Sequence, residues 1–368
     1  MADEDFLSRK LRLKIELQAH GLRIPDGLAS RAGGAGPADG ITVFIDDITA
    51  TVPTGGLYVE RSPYSLRRES GGLWGLIKNG KRLCTSEVAS EPAYYQRATA
   101  DGVPYWKVAI RHGRDGVGST VVQGCVYGEK ACLFCAIALS RERGATTTVK
   151  SPEHIAEVAR AAEEEGYSHI VLTTGTTDIR DRGIPHMFRC AAAVKSKTSM
   201  KVHVQFEPPE DLGLVDEIGT VADSVAINVE TMDSLVIRRV APGKATTGFA
   251  RYRATWERAI EVFGRGQVTS FLLIGLGESV QSVLEGCLQM TTMGVFPMLV
   301  PLRPIKDTPM QSWSPPRAAE VREVYVAAAE MVRAAGLRAS DCLAGCVRCG
   351  ACSSFTDITD RDSRNGNT

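Results

Sequence analysis

The chain has 368 residues, of which 43% are hydrophobic and 23% charged, enough to bury a sizeable core as one large domain with appendages. Lysine plus arginine and aspartate plus glutamate both number 43, so no net field argues for nucleic acid or an anionic membrane as a partner. The acidic start, Met1 to Phe6, lacks the basic and apolar regions of a secretory signal, and no stretch reaches the roughly 18 apolar residues of a membrane span; a cytoplasmic protein with reduced thiols is expected.

Residues 3 to about 21 read as a helix, and Ala32-Gly33-Gly34-Ala35-Gly36-Pro37-Ala38-Asp39-Gly40 as a flexible loop closing an N-terminal segment, 1–40. Short β-type runs (Ile41 to Ile45, Gly72 to Ile77, Trp106 to Ile110), broken by Gly, Pro and Asn-Gly, predict a small hairpin-rich α+β lobe over 41–118. From about Ser119 the pattern becomes strand, loop, helix. Strands are expected at 119–123, 168–174, 201–206, 224–229, 268–274 and 297–302, which makes six β/α units. Ser151-Pro152 caps a helix whose stripe is Ile155, Val158, Ala159 and Ala162, with a stop at Gly166. A long helix from Pro315 to Ala335 opens the last segment, 311–368, which ends in a cysteine-rich extension and a tail. Long helices between short apolar strands argue for an α/β fold with a parallel sheet, open or barrel-like.

Two strands carry polar residues on one face. Val202, Val204 and Phe206 alternate with His203, Gln205 and Glu207, and Val225, Ile227 and Val229 with Ala226, Asn228 and Glu230. Polarity grows toward the strands' carboxyl ends, where α/β folds place their sites, so Thr173, Gln205, Glu207, Asn228 and Glu230 are expected to converge. Taken singly, each also fits a hydrogen-bonded plug inside a barrel, and His203 fits a structural role. Near the mouth, Arg303 and Lys306 fit either an anionic substrate group or plain solvated cations.

Seven of the ten cysteines fall in two groups. Cys125-x6-Cys132-Leu133-Phe134-Cys135 follows the first strand, and Cys342-x3-Cys346-x2-Cys349-x2-Cys352 follows the last helix. In a reducing compartment such spacing favours metal ligation over disulfides. Three ligands fit a [4Fe-4S] cluster with one iron open; zinc competes for Cys-x2-Cys but needs a fourth ligand, and no Cys or His stands nearby in sequence. The second group can complete an auxiliary [4Fe-4S] cluster or a structural zinc knot. Cys190 and Cys287 lie on apolar helical stripes and are expected in the core; Cys84 is uninformative.

The first cysteine loop resembles the cluster motif of the radical S-adenosylmethionine (SAM) superfamily, Cys-x3-Cys-x-aromatic-Cys: Cys132-Leu133-Phe134-Cys135 matches its second half, whereas six residues rather than three precede Cys132. Further segments follow in order. Leu172-Thr173-Thr174-Gly175 stands where the superfamily carries a glycine-rich segment toward the SAM amino group. Asn228-Val229-Glu230-Thr231 and Arg239 resemble stretches of biotin and lipoyl synthases. Leu273-Ile274-Gly275-Leu276-Gly277-Glu278 is similar to the fifth-strand motif along the adenine, and Val300-Pro301-Leu302-Arg303-Pro304-Ile305 to the sixth-strand segment beside the nucleoside. Asp101-Gly102-Val103-Pro104-Tyr105-Trp106-Lys107 and His112-Gly113-Arg114-Asp115 resemble a biotin-synthase-related bacterial branch encoded beside nitrilase genes.

The resemblance implies a partial (β/α)6 TIM-type barrel over 119–310. It implies that Cys125, Cys132 and Cys135 hold a [4Fe-4S] cluster whose open iron chelates SAM, cleaved reductively to methionine and a 5′-deoxyadenosyl radical that takes a hydrogen atom from a small-molecule substrate. Phe134, Thr173, Thr174, Gly175, Asn228, Glu230, Gly275 and Glu278 would line SAM, with Glu207, Asn228, Glu230 and Arg239 as the catalytic set. Flavodoxin or ferredoxin would supply the electron. The group Cys342, Cys346, Cys349 and Cys352 would hold the auxiliary cluster, as electron conduit, as anchor or, in the manner of the sulfur-inserting synthases, as sulfur donor. A non-catalytic iron–sulfur carrier or a zinc-binding protein is the competing class, and it predicts no SAM cleavage.

Overall fold

The computed structural model describes residues 7–28, 30 and 40–360. The glycine-rich stretch 32–39 and the first residues of the expected N-terminal helix lie outside them. The helix Arg9–His20 starts where the Ser8 hydroxyl accepts from the Leu11 amide and ends at Gly21, whose φ of 72° turns the chain away. Strands β1 (Ile41–Ile45), β2 (Ile48–Val52), β3 (Tyr64–Arg68), β4 (Trp74–Lys78) and β5 (Lys81–Val88) form an antiparallel sheet in the order β2-β1-β5-β4-β3. Asp46 and Asn79-Gly80 take the positive φ that its two-residue hairpin turns demand.

The apolar run Trp106 to Ile110 is not a strand. Pro104 presets the first turn of a short helix, Tyr105–Val108, in which the Ala109 amide donates to the Tyr105 carbonyl at 3.0 Å; strand β6 (Ile110–His112) begins only after it. β6 pairs antiparallel with β7 (Gly116–Thr120), and β8 (His169–Thr173), β9 (Lys201–Gln205), β10 (Ser224–Ala226), β11 (Val268–Ile274) and β12 (Phe296–Pro301) then follow in parallel. The order β12-β11-β10-β9-β8-β7-β6 is chain order, so each strand lies beside its sequence neighbour as in a TIM-type barrel, and β6 and β12 remain as open edges of a partial one.

Six parallel strands therefore stand where six β/α units were expected, with β7 shifted and β10 (Ser224–Ala226) ending three residues short of the expected 224–229. β7 lies about three residues earlier than read: Val121 and Val122 still bond Thr173 and Gly175, but there the chain also turns to a second segment, with Val122 bridging Val149 and the Gln123 amide donating to the Thr148 carbonyl. Helices Pro152–Glu164, Ile184–Lys197, Phe249–Phe263, Val280–Met293 and Ala318–Ala334 alternate with the strands, the first capped by Ser151 Oγ accepting from the His154 amide at 3.1 Å. Cys190 and Cys287 are buried in this core. In β9 both the valines and His203 and Gln205 are buried, as expected when helices cover one face and a filled lumen the other. Among the described residues no helix is long and apolar enough to cross a membrane.

Candidate active site and cluster-binding cysteines

The loop after β7 lies at the carboxyl end of the parallel strands. Cys125 is exposed and Cys132 and Cys135 are half-buried, and all ten cysteines are free thiols. The Cys135 amide donates to the Cys132 carbonyl (3.1 Å) and the Leu133 amide to Val240 (2.8 Å), while Phe134 packs in an apolar cluster with Val236, Val240, Leu276 and Met310. Gly175 lies so close to the Gly124 carbonyl that a Cβ there would collide with it, which explains the glycine in Thr173-Thr174-Gly175. The long spacer between Cys125 and Cys132 has its own effect: it delivers Tyr127, whose ring packs on Gly243 and whose hydroxyl donates to Glu207 Oε2 at 2.6 Å.

Below that loop lies a buried set of alternating charges. Arg182 donates to the Tyr127 hydroxyl (2.9 Å) and to the Pro208 carbonyl (3.0 Å), and stands 3.7 Å from Glu207. Lys244 donates to Glu230 Oε1 (2.7 Å) and to the Asn228 carbonyl (2.8 Å), with Glu207 Oε1 at 4.0 Å. Burial disfavours the ammonium, but Glu230, Tyr252 and Glu207 hold Lys244 well above the usual lysine range. Burial and then Glu207 push the Tyr127 hydroxyl up. The Tyr252 hydroxyl, also buried beside Lys244, has no hydrogen-bond partner.

β10 is short because its chain bends to present these groups. Asn228 Oδ1 accepts from the Phe271 amide (3.1 Å), taking a place in the sheet ladder, and Asn228 Nδ2 donates to Gln205 Oε1 (3.3 Å). Glu230 has a φ of 68°, a left-handed conformation that costs a side-chain-bearing residue about 1–3 kcal/mol. Ladder bonds from its amide to Phe271 (3.0 Å) and from the Leu273 amide to its carbonyl (2.8 Å) hold it there.

Of the residues expected at the site, Glu207, Asn228 and Glu230 come together around Lys244. Thr173 shares a hydrogen bond with Thr120 (2.8 Å), and Thr174 donates to the Gly175 carbonyl (2.9 Å). Arg239 lies apart: it donates to the Leu276 carbonyl (2.8 Å) and stacks over Trp313. Gly275, with φ 102°, donates its amide to Glu278 Oε1 at 2.7 Å; Glu278 Oε2 is buried without a partner, and burial raises that carboxyl's pKa. Arg303 corrects the expectation of a cation at the mouth, being 6% exposed and turned inward, whereas Lys306 is exposed. Tyr127, Arg182, Lys244 and Tyr252 escaped the sequence reading. Lys244 directly follows the Arg238-to-Gly243 stretch and was within reach; Arg182 had no local signal.

The second cysteine group lies at the opposite, amino-terminal end of the barrel and fills its floor. Gln267, just before β11, bonds the Asp341 carbonyl and the Leu343 amide, and Ser224, at the start of β10, donates to the Ala344 carbonyl (3.1 Å). Arg348 pairs with Asp115 (2.8 Å) before β7, and Gly113 touches the Cys349 sulfur so closely that no Cβ would fit. Cys346 points up the lumen, accepting from Gln205 Nε2 at 3.6 Å. Cys352, Cys349 and Cys342 all lie close enough to raise the Cys346 thiol further, after burial has done so first.

Among the described residues no three Cys, His, Asp or Glu side chains converge as one metal ion would require. A zinc site gathers four ligands at about 2.0–2.3 Å from a single ion, whereas a cluster spreads its thiolates over several irons. Burial pushes Cys135 and Cys342 up to about 11 and Cys349 to about 12, so metal-free thiols are protonated and loading releases protons.

The family model described as the radical SAM superfamily matches residues 119–286. A lipoyl synthase from Marinobacter nauticus is 28% identical over 193 residues, 49% of this chain and 51% of that one. Another from Sulfolobus acidocaldarius is 30% identical over 188 residues, 49% and 60% of the two chains. The chain thus spans about half the length of the curated relatives it matches. Among solved structures, a radical SAM methyltransferase from Sphaerobacter thermophilus covers 75% of each chain at 16% identity and a TM-score of 0.46, a likeness too loose to argue from. The matched span runs from β7, through the three-cysteine loop and the Glu207, Asn228 and Glu230 cluster, to the helix after β11, so residues 119–286 form a radical SAM domain.

Proposed function

We propose that the protein cleaves SAM reductively at the mouth of the barrel and turns the resulting radical on a small molecule held in the lumen. The observation that carries this reading is the placement of three free thiols directly above a buried, charge-balanced group of Tyr127, Arg182, Glu207, Glu230 and Lys244, inside the span that matches the superfamily. Held by Cys125, Cys132 and Cys135, a [4Fe-4S] cluster with SAM supplies an adenosyl radical able to take a hydrogen atom from an unreactive carbon. The chain's own residues bind and orient. Lys244 neutralises Glu230 and fixes the Asn228 backbone, Tyr127 and Arg182 hold Glu207, and Thr174, Gly175, Gly275 and Glu278 are the groups offered to SAM. Apolar walls of Phe134, Leu276 and Met310 exclude water from the radical's path.

Flavodoxin or ferredoxin is the proposed electron donor, and Cys342, Cys346, Cys349 and Cys352 the proposed holders of the second cluster. A sulfur-inserting reaction is the second reading, favoured by the Cys346 sulfur facing the lumen through Gln205. The test is anaerobic reconstitution with iron and sulfide followed by SAM and dithionite. The expected product is 5′-deoxyadenosine. Its absence from protein carrying both iron and sulfide, or zinc in place of iron, would overturn the reading in favour of a carrier or a zinc protein. Sulfur found in product, counted per turnover, separates the two readings.

A further inference from the structure

Two cations that solvent hardly reaches hold the floor cysteines. Lys14, 1% exposed, donates to the Gly350 carbonyl (2.8 Å) and pairs with Asp357 (2.7 Å), so its charge is answered. Arg303, 6% exposed, donates through Nη2 to the carbonyls of Cys352 (2.8 Å) and Thr51 (3.2 Å). Its Nε and Nη1 are buried and have no partner, and among the described residues it forms no ion pair. A buried charged donor with an unmade bond loses its hydration without replacement, and native interiors hold few such groups. A full positive charge with two unused donors is therefore buried against the backbone of a prospective thiolate ligand.

A [4Fe-4S] core with four thiolates carries about two net negative charges in its oxidised state, and its sulfurs accept hydrogen bonds. Burying that anion is favourable only beside compensating charge. We propose that Arg303 is the counter-charge and hydrogen-bond donor of the cluster held by Cys342, Cys346, Cys349 and Cys352, and that it sets that cluster's reduction potential. The proposal rests on the tetrad being a cluster site. One-electron reduction adds negative charge to the cluster; a buried guanidinium favours the reduced form, so its loss lowers the potential.

The test uses the full chain with Cys125, Cys132 and Cys135 all changed to alanine, which isolates the floor cluster. Its potential is titrated with dithionite under electron paramagnetic resonance, with Arg303 native, Arg303→Gln or Arg303→Lys. The glutamine variant is expected to show at least a tenfold lower ratio of reduced to oxidised cluster at fixed potential, equivalent to about 59 mV for one electron, and lysine to recover part of it. An unchanged potential in iron-replete Arg303→Gln overturns the proposal. If the glutamine variant cannot hold iron, lysine decides: iron retained supports the role of charge, iron lost equally overturns it. Failure of the underlying reading looks different, since the triple-alanine parent would then bind no iron and sulfide at all.

Discussion

The two ends of the barrel hold cysteines in opposite ways. At the mouth, Cys125 is exposed, and the three-cysteine loop leans on backbone bonds such as Leu133 to Val240, on one apolar cluster and, through Tyr127 alone, on the side chains of Glu207 and Arg182. At the floor, the tetrad is gripped by side chains from remote parts of the chain: Lys14 and Gln18 of the first helix, Ser224 at the start of β10, Gln267 before β11, and Arg303 after β12. A site gripped by few, partly exposed contacts can open locally at low cost, whereas one tied to the core opens only with it. On the proposed reading the mouth would exchange a ligand and the floor would retain one.

The sharpest way to break that contrast is to remove one cysteine from each end. Cys132→Ala is expected to bring 5′-deoxyadenosine formation down to background while leaving the floor iron and its absorbance. Cys349→Ala is expected to strip the floor iron and leave SAM cleavage standing. Product chromatography and iron and sulfide analysis read both. Full SAM cleavage in Cys132→Ala would refute the ligand assignment at the mouth, and loss of mouth iron in Cys349→Ala would show that the two ends do not act separately.

Next in size is Lys244→Met. It leaves Glu230 buried without its cation, and breaking such a pair from one side costs about 3–5 kcal/mol. Urea unfolding of the metal-free chain measures this, and adding Glu230→Leu is expected to restore most of the loss. A drop below about 1 kcal/mol would mean that the mouth is as wet as a surface pair.

The ends are also expected to fail at opposite pH. At the floor, burial lowers His203 to about 3 and His169 to about 4, so both stay neutral in the fold. Unfolded, they protonate near about 6.5. Below that value the unfolded chain binds more protons, and each histidine takes away about 2 kcal/mol of stability between pH 6.5 and 5. Lys244 has the reverse sign: its raised pKa gives stability that is complete below the unfolded value and is lost as alkali deprotonates it in the fold. Unfolding free energy against pH tests both, with His169→Gln expected to flatten the acid limb alone.

How much of this was legible depended on how local each signal was. Alternation in Val202 to Glu207 and Val225 to Glu230 marked both strands and their inward groups, because a strand's period shows in its own sequence. Both cysteine sets were visible as spacings. The position of the second was not, since contacts such as Lys14 to Gly350 and Gln18 to Ala351 join residues more than 300 apart. Arg182 was hidden for the same reason, as its partners Tyr127, Pro208 and Thr247 lie on three other loops. Trp106 to Ile110 misled because a β-like composition followed Pro104, and backbone geometry outweighed propensity. The His112-to-Asp115 segment gains a physical reason: Gly113 and Asp115 are the turn on which Cys349 and Arg348 rest.

The smallest expected effect tests whether the ends communicate. The Gln205 side chain bonds to both, donating to Cys346 below and accepting from Asn228 beside Lys244 above. Gln205→Leu keeps the volume near native but removes two weak bonds, at 3.6 and 3.3 Å, so the stability loss should be about 1 kcal/mol. If the floor cluster only anchors the segment, 5′-deoxyadenosine formation stays within about threefold of native, because a lost bond of this size is worth about 0.5–1.5 kcal/mol. If the floor responds to what the mouth binds, adding SAM shifts the floor cluster's paramagnetic signal in the native chain and no longer does so in Gln205→Leu. A SAM-dependent shift that survives the substitution would remove Gln205 as the link and leave the packed β9 backbone to carry the coupling.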